Sequence, residues 1–272
     1  IDKPGGLTSH DVIDVVRGRL GTRKVGHAGT LDPMATGLLL VGVGRATRLL
    51  RFFGDLPKRY VGAARLGVET DTLDAEGAVV RTAEVRVTRA DVERACVALE
   101  GSSLQRPPAF SAAKVGGRTL HRAARRGETL EAPERPIRVD RFAVTSFDGR
   151  RFGFEVRCSG GTYVRVLVAR VGETLGCGAH LIRLRRTAIG PHRVEDAVPP
   201  DSVEGLLPLE VAVAHLPRVE IDEEEARAAA HGSILGPSGK LGSHAVFGPD
   251  GRLIGIYRDE GARSRPEVVL AR

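Results

Sequence analysis

A chain of 272 residues that is 42 % apolar has the material for one large core and a small companion domain, which excludes wholesale disorder. No apolar stretch reaches membrane-spanning length, and Cys96, Cys158 and Cys177 are too widely spaced for a metal site or a disulfide framework, so a cytoplasmic setting is expected. The formal charge of +7 favours a polyanionic partner, and because residues 215–272 hold eight basic and nine acidic side chains, the excess lies before them.

Ile1 to Pro4 reads as the end of a strand. A helix follows, N-capped by Thr8 or Ser9, with Val12, Ile13, Val16 and Leu20 on its apolar face and a stop at Gly21. Next comes a glycine-rich polar stretch from Gly26 to Gly37, then the apolar run Leu38 to Val41, which suits a buried strand. Arg45 to Phe53 predicts a helix and Arg59 to Leu66 a strand. Thr88 with Asp91 forms a capping-box pattern for a helix through Leu99. Asp148-Gly149 predicts the turn of an antiparallel hairpin, and Tyr163 to Leu175 has helical periodicity up to Gly176. Strands that occur both as hairpins and between helices imply an α+β domain with a mixed, largely antiparallel sheet flanked by helices. After Pro199-Pro200 and Pro208 the pattern changes to a short acidic helix, Asp222 to Ala230, and short strands around a hairpin tip at Pro249-Asp250-Gly251. Two domains are therefore expected, 1–214 and a small β-rich one over 215–272.

The most informative stretch runs from Gly26 to Gly37, GHAGTLDPMATG. Asp32 lies between glycines and before Pro33, which biases it towards an extended loop conformation and away from helix. In isolation Asp-Pro is an ordinary turn. Asp71 and Asp74 offer too few ligands for a metal, so no metal site is expected. Between Arg106 and Arg126 stand six basic residues and no acidic one, a run that by itself reads as a solvated face.

GHAGTLDPMATGLL resembles the catalytic signature of the TruB family of pseudouridine synthases, and further motifs match in order along the chain. They are Ile1-Asp2-Lys3-Pro4, Lys58-Arg59-Tyr60, Gly161-Thr162-Tyr163-Val164-Arg165, and Leu184-Arg185-Arg186-Thr187. The resemblance implies a cofactor-free isomerase that converts uridine-55 in the T arm of tRNA to pseudouridine. It makes three residues catalytic: Asp32 as the essential carboxylate, Arg165 as its partner, and Tyr60 as the aromatic against the target base with a part in proton transfer. Among substrate- and RNA-binding residues it places His27, Lys3, Tyr163 and Leu184, with Lys3 buttressing the loop and Leu184 an apolar wall; Asp74, read as part of a turn, is a further expected RNA contact. Residues of about 104–130 resemble the family's thumb, in which Lys114, Arg118, Arg122, Arg125 and Arg126 would meet phosphates. The C-terminal domain would be PUA-like. A monomer that binds tRNA, needs no obligate protein partner and does not enter membranes is expected. The alternative is a tRNA-binding folding chaperone in which catalysis is secondary.

Overall fold

The computed structural model describes residues 1–270. The chain packs as two compact units, the first made of 1–15, 28–40 and 53–202, the second of 16–27, 41–52 and the residues from 203 onward.

The first unit is built on one sheet. Its strands are β1 (Asp2–Lys3), β2 (Thr36–Leu38), β3 (Lys58–Leu66), β4 (Gly101–Gln105), β5 (Arg135–Phe147), β6 (Arg151–Cys158), β7 (Ala179–Ile189) and β8 (His192–Arg193). Their order is β1-β2-β7-β3-β6-β5-β4, with β8 paired to β7. Only the β2–β7 pair is parallel among these; the rest are antiparallel, so the sheet is mixed and largely antiparallel as expected. The β5–β6 hairpin turns at Asp148-Gly149. There Asp148 Oδ1 accepts from the Arg150 and Arg151 amides, and Gly149 takes a φ of +93°.

Strand alternation divides this sheet into unlike faces. Inward go Tyr60, Ala64 and Leu66 of β3, and Phe152, Phe154 and Val156 of β6. With helices numbered α1 (Ser9–Leu20), α2 (Arg89–Val97), α3 (Leu120–Ala124) and α4 (Val164–Thr174), they join Val92 and Ala95 of α2 and Val164, Leu167 and Val171 of α4 in one core. Thr88 caps α2 through the expected capping box. Outward go Arg59, Val61 and Arg65, Arg151 and Arg157, all exposed. Helices cover one face, and solvent covers the other.

The second unit carries a four-stranded sheet in the order Arg218–Glu220, Ser243–Phe247, Leu253–Glu260, Arg263–Val269, packed against the acidic helix Glu223–Ala230. The segment Gly44–Phe53 is a 3-10 helix, not an α-helix. At three residues per turn, Arg45, Arg48 and Arg51 fall in one row. They donate to the carbonyls of Leu270 (2.6 Å), Val269 (2.5 Å) and Glu267 (2.9 Å) along the sheet's edge strand. An open edge is thereby covered, and this early segment packs with the C-terminal strands.

Gly37 lies where β2 runs beside β7. Its φ is +99°, and a Cβ there would stand 2.3 Å from the Arg186 carbonyl oxygen. Neither the backbone nor the register can absorb that. Gly37→Ala is expected to cost about 2 kcal/mol or more in urea unfolding, whereas Gly18→Ala, with nothing within 4 Å, should be neutral or stabilising.

Candidate active site

The Asp32 loop is pinned from beneath before it presents any chemistry. Ser9 donates to the Leu31 carbonyl (3.2 Å) and accepts from the Leu31 amide (2.9 Å). Thr8, not Ser9, is the cap: its hydroxyl accepts from the Asp11 amide at 3.1 Å. Lys3 is wholly buried, and its ammonium donates to the carbonyls of Pro4 (2.9 Å), Leu7 (2.5 Å) and Pro33 (3.1 Å). Burial holds its pKa below the ordinary lysine range, while the nearby Asp32 charge pulls the other way. Lys3 is therefore bonded to the loop at Pro33 and has no surface with which to touch RNA.

Above the loop sits Arg165, in the first turn of α4 and 3 % exposed. Its Nε donates to Asp32 Oδ2 at 2.9 Å and its Nη2 to Asp32 Oδ1 at 3.1 Å, a two-point carboxylate pair. The remaining donors reach the Thr72 carbonyl (2.9 Å) and the Phe110 carbonyl (2.7 Å), and Nη1 lies 3.9 Å from Asp74 Oδ2. Asp74 is fixed in turn by Thr72 Oγ1 (2.6 Å) and the Glu76 amide (3.1 Å). Between Thr72 and Asp74, Leu73 has a φ of +65°, the one left-handed non-glycine among the described residues. Such strain is held only where the surroundings over-determine it.

The two carboxylates differ in access. Asp74 has a side chain only 5 % exposed, whereas that of Asp32 is 34 % exposed. Asp32 is thus the acid a ligand can reach. Its pKa is raised above the ordinary carboxylate value, first by desolvation and then by the Asp74 charge, against the pull of Arg165.

Tyr60 is buried, and burial raises its pKa, opposed by the Arg186 charge. Arg186 itself is a buried cation at the site that the sequence reading left without a role. It is 1 % exposed and donates to the Leu38 carbonyl (2.7 Å) and the Gly29 carbonyl (2.8 Å), tying both ends of the Asp32 stretch to β7. The signal was available: Leu184 and Arg186 alternate inward along one strand. Leu184 is buried in the same core as Tyr60 and Leu31. Tyr163 caps α4, its amide donating to Gln105 Oε1 at 2.7 Å. His27 stands half-buried on the strand Val25–Ala28, in the second unit.

The thumb-like stretch is a β-hairpin, Lys114–Val115 with Arg118–Thr119, turning at Gly116-Gly117, followed by the short helix Leu120–Ala124. It has a core of its own in Ala113, Leu120 and Ala132. Arg118 pairs with Glu128 at 2.8 Å, and Arg106 pairs with Glu131. Both glutamates lie just past the acid-free window, so two of its six cations are already neutralised. Lys114, Arg122, Arg125 and Arg126 are exposed or near-exposed with no ion pair among the described residues.

Comparison with known proteins agrees along the chain. Residues 17–164 match the TruB family pseudouridylate synthase (N terminal domain), 165–214 the tRNA pseudouridylate synthase B C-terminal domain, and 216–271 tRNA pseudouridine synthase II, C terminal. The tRNA pseudouridine synthase B of Thermobifida fusca (strain YX) is 44 % identical over 100 % of this chain and 97 % of that protein. That of Aromatoleum aromaticum is 42 % identical over 96 % and 88 %. Among solved structures, a Cbf5-Nop10-Gar1 complex contains a chain 27 % identical, with a TM-score of 0.77 over 98 % of this chain and 83 % of that one. An H/ACA RNP bound to a substrate RNA containing 2'-deoxyuridine gives 26 % and 0.74.

The raised Asp32 pKa has a stability consequence. A carboxyl whose folded pKa exceeds its unfolded one stabilises most below the unfolded value, and that contribution is lost as pH rises through the folded value. Asp32→Asn, uncharged throughout, should therefore gain stability relative to the unsubstituted protein between about pH 4 and pH 7. Melting temperatures of the two across that range check it; a difference independent of pH contradicts the raised value.

Proposed function

Because the chain belongs to the TruB family of pseudouridine synthases, isomerases that make pseudouridine in tRNA, we propose that its target is uridine-55 in the T arm, with Asp32 as the reacting carboxylate. The observation that carries this reading is the Asp32–Arg165 pair: a solvent-reachable acid, oriented by a buried guanidinium, with buried Tyr60 in the core that the neighbouring Leu31 joins.

The reaction breaks the bond from uracil N1 to ribose C1′, turns the base and rejoins it through C5. Atoms and electrons balance within the nucleotide, so neither an energy donor nor a redox partner is called for. A uridine in a folded loop is stacked and its C1′ is out of reach. It must be extruded, at a cost of a few kcal/mol recovered by new contacts. Asp32 then meets the sugar, either attacking C1′ or taking the 2′ proton. Each route needs the carboxylate ionised, and Arg165 supports that form against desolvation. Tyr60 and Leu184 supply an aromatic and an apolar wall for the detached uracil, which must not escape if isomerisation is to prevail over hydrolysis. Asp74 acts through Arg165, not on the substrate.

The free cations Lys114, Arg122, Arg125 and Arg126 are assigned to the T-arm phosphates, and His27 to RNA positioning. The Phe110 carbonyl on Arg165 links the thumb's base to the catalytic pair. The enzyme would act on tRNA as a monomer in the cytoplasm.

Incubating unmodified tRNA transcript with the protein and mapping pseudouridine tests the reading. Product is expected at position 55 alone. Asp32→Asn should lower turnover by at least about 10³-fold. Arg165→Lys, which cannot reproduce the two-point geometry, should lower it by about 10²-fold with little change in KM. Turnover by Asp32→Asn, or product confined to the anticodon arm, would overturn the proposal.

A further inference from the structure

The catalytic chemistry uses only the inward face of the main sheet. The outward face carries arginines in cross-strand register. Arg141 of β5 stands opposite Arg157 of β6, and Arg157 stands opposite Arg59 of β3, which makes a row of three. Arg65 stands opposite Arg151. On β7, Arg183 and Arg185 continue the face, opposite Ala63 and Val61. Like charges placed directly across a sheet repel and destabilise it.

Only part of this charge is answered. Arg59 has Glu155 at 3.5 Å, Arg157 has Asp140 at 3.5 Å, and Arg185 has Asp2 at 2.7 Å. Arg65, Arg141, Arg151 and Arg183 are exposed and have no carboxylate within 4 Å among the described residues. At the end of the three-arginine row, Arg59, Arg157 and Arg193 border a recess of about 90 Å³.

We infer that this face is a second RNA-binding surface, which takes the phosphate backbone of a double-helical RNA other than the arm held at Asp32. Three observations select that occupant. A grid of guanidinium groups, with strands about 4.8 Å apart, suits repeated phosphates better than any single anion. The face offers no aromatic to stack an unpaired base, since Phe142, Phe152 and Phe154 all point inward, and this disfavours a single strand. Finally, the alternation that sends Tyr60 inward sends Arg59 outward, so a duplex on one face is not the arm reacting on the other. Binding there is sequence-independent and steeply salt-dependent. The inference rests on the functional reading above only in naming RNA as the polyanion.

The test uses the full chain, a fluorescein-labelled 20-base-pair RNA duplex of G·C pairs only, and an unlabelled T-arm hairpin. The quadruple variant Arg65→Ser, Arg141→Ser, Arg151→Ser, Arg183→Ser should bind the duplex at least tenfold more weakly. Its slope of log affinity against log salt should be shallower by about three units. Its kcat/KM on the hairpin should stay within twofold of the unsubstituted protein, which also reports that it folds. One equivalent of hairpin, enough to occupy the Asp32 site, should leave duplex binding to the unsubstituted protein in place. Unchanged duplex affinity and slope, displacement by the hairpin, or a parallel fall in hairpin turnover would each overturn the inference. Failure of the unsubstituted protein to turn over the hairpin would instead count against the isomerase reading, with duplex binding still measurable.

Discussion

The pairing of Arg165 with Asp32 is the constraint around which the first unit is arranged. A guanidinium in the first turn of a helix stands at the positive end of the helix dipole, where a cation is unfavourable. It is also 3 % exposed. Leaving it there without partners would cost several kcal/mol, so the fold brings in Asp32, Asp74 and two carbonyls from three separate loops. The same end of the helix that penalises Arg165 favours the Asp32 carboxylate beside it. Desolvation nevertheless wins over both helpers, and the result is an acid that is accessible, oriented and less willing than usual to ionise.

That arrangement needs rigid supports on every side, and each comes from a different kind of local rule. Lys3 and Ser9 brace the loop from below, β7 holds it through Arg186, and the strained Leu73 turn sets the Thr72 carbonyl. The parallel β2–β7 contact requires a glycine at 37, because the two backbones approach too closely for a side chain. The sheet can devote one face entirely to this work because α2 and α4 lie on that side alone.

Much of this was legible in the residues. The turn at Asp148-Gly149, the cap at Thr88 and the loop character of Asp32 each follow from short-range chemistry, and each is present. The site partners Arg165 and Tyr60 came from motif resemblance, since a helix arginine and a strand tyrosine are unremarkable alone. Other features depend on distances that no local pattern encodes. Lys3 looked available to RNA, but three carbonyls gathered from two segments bury it. The run Leu38 to Val41 read as one strand, yet Thr36–Leu38 pairs within the main sheet while Leu40–Val43 pairs with Val25–Ala28. The basic thumb looked fully available until Glu128 and Glu131 were found against Arg118 and Arg106. The 3-10 form of Gly44–Phe53 follows from a tertiary demand, three arginines in line with one strand edge.

The buried cations share a habit: Lys3, Lys58, Arg165 and Arg186 all take peptide oxygens as partners, and Arg165 alone adds carboxylates. A peptide oxygen is present whatever side chain its residue bears. Phe110 or Leu38 could drift through evolution without depriving its cation of its acceptor. Correlated substitution between such positions is therefore not to be looked for, and a search for co-evolving pairs would pass over the very contacts that hold this site in shape.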